Sequence, residues 1–150
     1  MTGSGFTARI YVDSNVFIYA VEGNGDLADA LAELLELFAR KPGLAITSEL
    51  TLAEILAKAD RLQRRDYLDL IVESGAIELC PVNRDILIET AAYRRVMGAT
   101  KLADAIHAVT ALQYGCSILL SADRRMRIPT GLKLIDTDPH SLHALIKEFS

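Results

Sequence analysis

Three observations in the sequence predict an α/β domain with a parallel β-sheet. Short apolar runs typical of buried strands occur at residues 9–13, 44–47, 77–80, 117–120 and 133–135. Apolar residues recur at helical spacing over 14–20, 26–40, 48–59, 64–74, 84–96 and 101–114, with 140–149 closing the chain. The third observation is the alternation of the two patterns, which is typical of an α/β fold.

Residues at the boundaries support these elements. Ser48 and Asn83 can cap the helices that follow them, because their side chains accept first-turn amide hydrogens. Pro139 suits the first turn of the last helix, since its fixed φ is a helical one. Three glycines follow helical segments, where a left-handed residue is often needed: Gly43, Gly75 and Gly115.

Two of the helical segments carry broad apolar surfaces. Segment 101–114 is apolar nearly all round, with one face formed by Leu102, Ala105, Val109 and Leu112, and we expect it to be buried. Segment 26–40 carries Leu27, Leu31, Leu34, Leu35 and Phe38 at helical spacing. Much of that surface must pack on the sheet, and any uncovered remainder is a candidate partner groove.

The bulk composition indicates one globular domain spanning 1–150. Of the 150 residues, 51% are hydrophobic and 24% are charged, which is close to the average of soluble domains. The start of the sequence has no apolar signal region and no apolar run approaches a membrane span, so we expect a soluble, cytoplasmic protein. Cys80 and Cys116 match no metal-ligand spacing, and we expect buried, reduced thiols.

The net charge of −4 argues at first against a nucleic-acid partner. Setting aside four acidic residues that are candidates for a site leaves 16 acidic against 16 basic residues. Basic clusters occur at Arg61, Arg64 and Arg65; at Arg94, Arg95 and Lys101; and at Arg124, Arg125 and Arg127. The simplest interpretation of each is a solvated helix face, but the last two clusters flank candidate site residues.

Those four acidic residues are Asp13, Glu54, Asp104 and Asp123, each at the end of an apolar run or early in a helix. In a parallel α/β fold the carboxyl ends of the strands and the starts of the following helices share one crevice. Carboxylates gathered there repel one another unless hard divalent cations such as Mg²⁺ or Mn²⁺ neutralise them. The pattern therefore predicts metal-dependent chemistry.

Each acid taken alone has a simpler explanation. Asp13 can be an ordinary N-cap, and Asp123 can open a turn. Asp104 can act on the helix dipole, although its apolar helix neighbours should shield it from water. For Glu54 the simpler explanation, a surface pair with Lys58, is the stronger one.

Four segments together resemble the successive motifs of PIN-domain nucleases, especially the VapC-type toxins of toxin–antitoxin pairs. They are 12–18 (VDSNVFI), 48–54 (SELTLAE), 102–108 (LADAIHA) and 119–123 (LLSAD). The resemblance implies a three-layer α/β/α fold whose five-stranded parallel sheet has the order 3-2-1-4-5. It implies that Asp13, Glu54, Asp104 and Asp123 bind one or two Mg²⁺ or Mn²⁺ ions, and that Asn15 and Ser121 support them.

The same resemblance implies a function and partners. The protein is expected to be an endoribonuclease acting as the toxin of a type II pair, to bind a cognate antitoxin near the acids and to form a homodimer. Two departures from the family pattern stand out. Ser121 replaces a common Thr but keeps the hydroxyl, and the segment 124–127 is more basic than usual.

Several alternatives stay open from sequence alone. A PIN-fold module that binds RNA or protein without cleaving it is the main one, and retention of all four acids speaks against it. A haloacid dehalogenase-type enzyme would resemble an Asp-x-Asp pair, but the second position here is Asn15. A receiver-like domain is disfavoured because the only late lysine, Lys133, begins its strand. His107 suits a hydrogen-bonded core position better than a general base, because metal-bound water needs none.

Overall fold

In the computed structural model, which describes residues 8–150, the strands and helices alternate as the sequence predicts. The strands are β1 (Arg9–Val12), β2 (Ala45–Ser48), β3 (Glu78–Cys80), β4 (Cys116–Ser121) and β5 (Lys133–Asp136). The helices are α1 (Ser14–Glu22), α2 (Gly25–Arg40), α3 (Leu50–Leu56), α4 (Arg61–Leu68), α5 (Arg84–Met97), α6 (Leu102–Gln113) and α7 (Pro139–Phe149). A π-helical turn, Asp69–Glu73, continues α4.

All five strands are parallel, in the order β3-β2-β1-β4-β5. This confirms the predicted order 3-2-1-4-5. The central strand β1 pairs on both sides, with Tyr11 opposite Ile46 of β2 and Leu119 of β4. Because β1 is central, the residue that follows it lies in the middle of the carboxyl edge of the sheet.

Side chains of β1 alternate between two cores, as the two-residue period of a strand requires. Ile10 and Val12 pack with residues of α2 and α7 on one face. Tyr11 packs on the other face, with Ala111 of α6. Helix α5 then packs on the outside of α6 through Ile86. The sheet thus lies between two helical layers, with the first turn of α6 near its carboxyl edge.

The boundary predictions hold in most places. Asn83 caps α5 by accepting the Ile86 amide hydrogen at 2.9 Å, and Pro139 is the first residue of α7. Gly43, Gly75 and Gly115 all have positive φ. Ser48 instead ends β2, although its Oγ still accepts the Leu50 amide hydrogen at 3.0 Å. Helix α4 begins three residues before its predicted start, at Arg61, because Asp60 and Gln63 form a reciprocal capping box.

Two predictions about apolar surfaces need correction. Ala105 to Ala111 of α6 are buried, but Leu102 and Leu112, near the two ends of the helix, are 53% and 39% exposed. On α2, Leu31, Leu34 and Phe38 are buried and Leu27 and Leu35 are partly buried against the same core, so little of that surface is left for a partner. Instead, an open apolar groove of about 430 Å³ lies between α5 and α6 and is lined by Val96, Val109 and Leu112 among others.

Cys80 and Cys116 are free and buried, as predicted. Burial raises the pKa of Cys80 to about 11 and that of Cys116 to about 12, so both stay thiols at neutral pH. None of the helices within residues 8–150 is long and apolar enough to cross a membrane.

Candidate active site

Asp13 lies directly after β1 and both caps α1 and faces the crevice. Its Oδ1 accepts the Ser14 amide hydrogen at 2.8 Å, which confirms that Asp13 is the N-cap of α1. Its Oδ2 accepts a hydrogen bond from the Ser121 hydroxyl at 2.7 Å and a longer one from the Asn15 amide at 3.4 Å. Asp13 is only 6% exposed, and these hydrogen bonds hold its carboxylate in one orientation.

Asn15 and Ser121 join the ends of β1 and β4 around this carboxylate. Asn15 donates from Nδ2 to the Ser121 Oγ at 3.3 Å and accepts the Ala122 amide hydrogen at 3.1 Å. Ser121 Oγ also accepts the Asp123 amide hydrogen at 3.0 Å. These bonds position Asp13 relative to the loop that carries Asp123. The structure thus places both residues where the supporting role was predicted, and the role itself remains a proposal.

Asp104 lies in the first turn of α6 and faces the same crevice. Its pKa is raised above the usual value, first by burial and next by the charge of Asp13, with Asp123 adding to the effect. His107 and Lys101 act in the opposite direction. The charges of Asp13 and Asp123 both act on Asp104 in the direction expected of neighbouring carboxylates.

Asp123 is exposed and opens the turn after β4, as its alternative interpretation predicted. Its Oδ1 accepts the Arg125 amide hydrogen at 3.0 Å and its carbonyl accepts that of Met126 at 3.2 Å. A cavity of about 200 Å³ joins Asp123 to Asp104. The same cavity is lined by basic residues from both predicted flanking clusters: Lys101, Arg125 and Arg127.

Glu54 is turned toward the site, away from Lys58. Within residues 8–150 it forms no ion pair with Lys58; its Oε1 lies 2.6 Å from Nε2 of His107. That same nitrogen is 3.9 Å from Oδ1 of Asp13. The predicted surface pair of Glu54 with Lys58 is therefore wrong. Glu54 pairs instead with His107, which is 53 positions away in the sequence.

His107 occupies a buried, hydrogen-bonded position, as the sequence predicted. It is 1% exposed, and its Nδ1 lies 2.5 Å from the Tyr11 hydroxyl. Tyr11 was missed as a site residue altogether. The one available signal was a polar hydroxyl in the middle of an otherwise apolar central strand, which needs a hydrogen-bond partner when buried.

The donor chemistry of the crevice fits a hard divalent cation. Asp104 and Asp123 have no basic ion-pair partner among the described residues, and their mutual repulsion with Asp13 is what such a cation relieves. Within 8–150 no three acidic, His or Cys side chains are assembled as a ready cage. That is compatible with Mg²⁺, which commonly takes one or two carboxylates and keeps several waters.

Comparison with known proteins identifies the family of this fold. The sequence model of the PIN domain matches residues 10–131. That match covers most of the chain, so the chain belongs to the PIN domain family. It confirms the family resemblance of the four motifs, which lie within the matched residues.

Solved structures of similar fold share low sequence identity with the chain. A toxin–antitoxin complex from Klebsiella pneumoniae matches with a TM-score of 0.63 and 19% identity, covering 88% of this chain and 98% of the other. A DNA-bound VapBC from Salmonella typhimurium matches with a TM-score of 0.64 and 19% identity, covering 88% and 100%. VapBC2 from Rickettsia felis bound to a promoter DNA fragment matches with 0.61 and 20%, covering 85% and 98%. The comparison with curated proteins gave no match.

Proposed function

We propose that this PIN-domain protein is a metal-dependent endoribonuclease and the toxin of a type II toxin–antitoxin pair. One observation carries the proposal: Asp104 and Asp123 line one cavity, and the charge of Asp13, which follows the central strand, also raises the pKa of Asp104. A cluster of this kind is unfavourable without a cation, and it lies where α/β folds bind ligands.

In this proposal the four acids Asp13, Glu54, Asp104 and Asp123 hold Mg²⁺ or Mn²⁺, directly or through water. The bound ion would lower the pKa of a water molecule and neutralise charge on the scissile phosphate. Asn15 and Ser121 keep the Asp13 carboxylate in place by the hydrogen bonds described above. Asp104 would supply a further carboxylate, whose pKa is raised by burial and by the charges of Asp13 and Asp123.

The basic wall of the 200 Å³ cavity supports an RNA substrate. Lys101, Arg125 and Arg127 line it beside Asp104 and Asp123, so cationic groups flank the acids where a phosphate backbone would pass. The net charge of −4 does not oppose this assignment, because the local charge at the cavity wall is positive. A single strand suits so small an opening better than a duplex.

The proposed partners are a cognate antitoxin and a second copy of the chain. Two of the similar solved structures are described as VapBC bound to DNA, and one as a toxin–antitoxin complex. For the homodimer, the apolar groove between α5 and α6 is the candidate face, since Val96 is 85% exposed at its rim. Action on cellular RNA would place the protein in the cytoplasm.

Expression in a growing bacterium tests the toxin assignment. The wild-type chain alone should arrest growth, and co-expression of the small protein encoded beside it should relieve the arrest. The Asp13→Asn variant is the matched control, because Asn can also cap α1. Arrest that persists unchanged in this variant would show that toxicity does not depend on the acidic crevice. Binding of RNA without cleavage would support the alternative, a catalytically silent PIN-fold module.

A further inference from the structure

A chain of buried hydrogen bonds reaches the candidate site from inside the protein. The Ser48 amide donates to the Tyr11 hydroxyl at 3.0 Å, and that hydroxyl lies 2.5 Å from His107 Nδ1. On the other side of the ring, His107 Nε2 lies 2.6 Å from Glu54 Oε1. Tyr11 and His107 are 0% and 1% exposed, so the chain ends in solvent only at Glu54.

The hydrogen-bond roles in this chain are constrained at its two ends, by the Ser48 amide and by the Glu54 carboxylate. Since the Tyr11 oxygen already accepts the Ser48 amide hydrogen, its own hydrogen is free to point at His107 Nδ1. A carboxylate oxygen can only accept, so in the 2.6 Å contact the hydrogen lies on His107 Nε2 and points at Glu54.

Glu54 needs such a partner. Its side chain is 31% exposed on the short helix α3, and within the described residues only Oε1 makes a hydrogen bond. The second oxygen, Oε2, is left for another ligand. The His107 ring also brings Glu54 to the Asp13 side of the crevice, because Nε2 lies 3.9 Å from Asp13 Oδ1.

We propose that His107 is a positioning residue: held by Tyr11, it fixes the Glu54 carboxylate beside Asp13 so that the two can bind the same divalent cation. The proposal rests on the proposed function, in which Glu54 and Asp13 are metal ligands. His107 itself neither binds the metal nor acts as a base. Partners of this kind orient metal ligands in many sites, and their loss typically weakens metal affinity about 10–100-fold.

The experiment measures Mn²⁺ binding by calorimetry on the purified chain without RNA, together with nitrogen NMR of the histidine rings. Only three histidines are present, so the spectrum of a His107 variant assigns the His107 signals. His107→Leu and Tyr11→Phe should weaken Mn²⁺ binding about tenfold. His107→Gln should recover part of the affinity, because its amide can donate toward Glu54. Tyr93→Phe is the matched control, since the buried Tyr93 hydroxyl has no hydrogen-bond partner among residues 8–150.

In the metal-free wild type, the ring-nitrogen signals of His107 should differ from those of an exposed histidine, and Tyr11→Phe should shift them because it removes the hydroxyl next to Nδ1. Unchanged Mn²⁺ affinity in both His107→Leu and Tyr11→Phe would overturn the positioning role while leaving the proposed function intact. Tighter binding in these variants would overturn it too, by showing that His107 competes with the metal for Glu54. Failure of the wild type to bind Mn²⁺ would overturn the metal-dependent function itself. Should His107→Leu not fold, Tyr11→Phe decides, since it keeps the ring.

Discussion

At the scale of single residues, the site depends on carboxylates that serve two purposes. Asp13 caps α1 with one oxygen and receives the Ser121 hydroxyl with the other. The cap explains why an acid is favourable at this position before any metal is considered. Capping α1 does not require the hydrogen bond from the Ser121 hydroxyl to Asp13 Oδ2. That hydrogen bond therefore belongs to the arrangement of the crevice.

Ser121→Ala should lower RNA cleavage about tenfold, because it removes the hydroxyl that holds Asp13 Oδ2 and accepts the Asp123 amide hydrogen. Steady-state cleavage of a defined RNA measures the effect. Ser117→Ala is the control, since Ser117 is an exposed serine on the same strand. Equal activities of the two variants would remove Ser121 from the supporting role.

Asp104→Asn should stabilise the metal-free protein at neutral pH. Burial, together with the charges of Asp13 and Asp123, raises the pKa of Asp104 in the folded state above its unfolded value. The folded state then binds more protons than the unfolded state between these two pKa values, so the stability of the parent falls as pH rises through that window. Asn does not ionise, so the stability of the variant does not fall in this way as pH rises.

The measurement is urea unfolding of parent and variant in chelator at neutral pH and at a pH below the ordinary Asp range. The advantage of the variant should be present at neutral pH and shrink in acid. A variant that is less stable than the parent at neutral pH would mean that the Asp104 carboxylate is a structural group with favourable partners.

At the scale of elements, the turn after β4 and the start of α6 together form the proposed substrate cavity. Arg124 and Arg125 are neighbours in this turn but differ in environment. Arg124 pairs with Asp136 at 2.5 Å, whereas Arg125 lines the cavity beside Asp104 and Asp123. Only the second is placed to meet a phosphate.

Arg125→Ala should therefore weaken binding of single-stranded RNA, and Arg124→Ala should change it much less. Titrations on an Asp13→Asn background with Mg²⁺ prevent cleavage during the measurement. Loss of one phosphate contact should also reduce the salt dependence of binding, by about 0.7 in the log–log slope. Equal effects of both substitutions would assign the loop a general electrostatic role in place of a specific contact.

The elements and most of their ends were predictable from the sequence, and the side-chain pairings between distant elements were not. The short apolar runs predicted buried parallel strands, the family resemblance implied their order, and the position of the carboxyl edge follows from the parallel arrangement. The start of α4 depended on the Asp60–Gln63 capping box, which the apolar period does not show. The pairing of Glu54 with His107 joins α3 to α6 across the fold. Helical spacing reports only neighbours along the chain, so the sequence favoured Lys58 as the partner of Glu54.

At the scale of the whole molecule, the exposed apolar surface lies elsewhere than the sequence suggested. Helix α2 is covered by α7, and the open groove lies between α5 and α6. Periodicity identifies an apolar face but does not tell which neighbour covers it. The proposed homodimer would bury this groove.

Val96→Asp should convert the proposed dimer to a monomer, because it places a charge on the most exposed apolar side chain at the groove. Sedimentation equilibrium of the purified chain gives the oligomeric state. Val72→Asp is the matched control, as Val72 is 44% exposed at a different surface and should leave the dimer intact. A wild-type chain that sediments as a monomer at high concentration would contradict the homodimer.

The central claim is that the acidic crevice cleaves RNA with the help of a divalent ion. The most direct measurement incubates purified protein and a mixed RNA pool with Mg²⁺, Mn²⁺ or excess chelator, alongside Asp13→Asn, and maps the new RNA ends. We expect defined cleavage with either metal, none with chelator, and a rate at least about a hundredfold lower in the variant, which corresponds to roughly 2.7 kcal/mol of transition-state stabilisation. Cleavage that survives the chelator, or an Asp13→Asn variant as active as the parent, would contradict the claim.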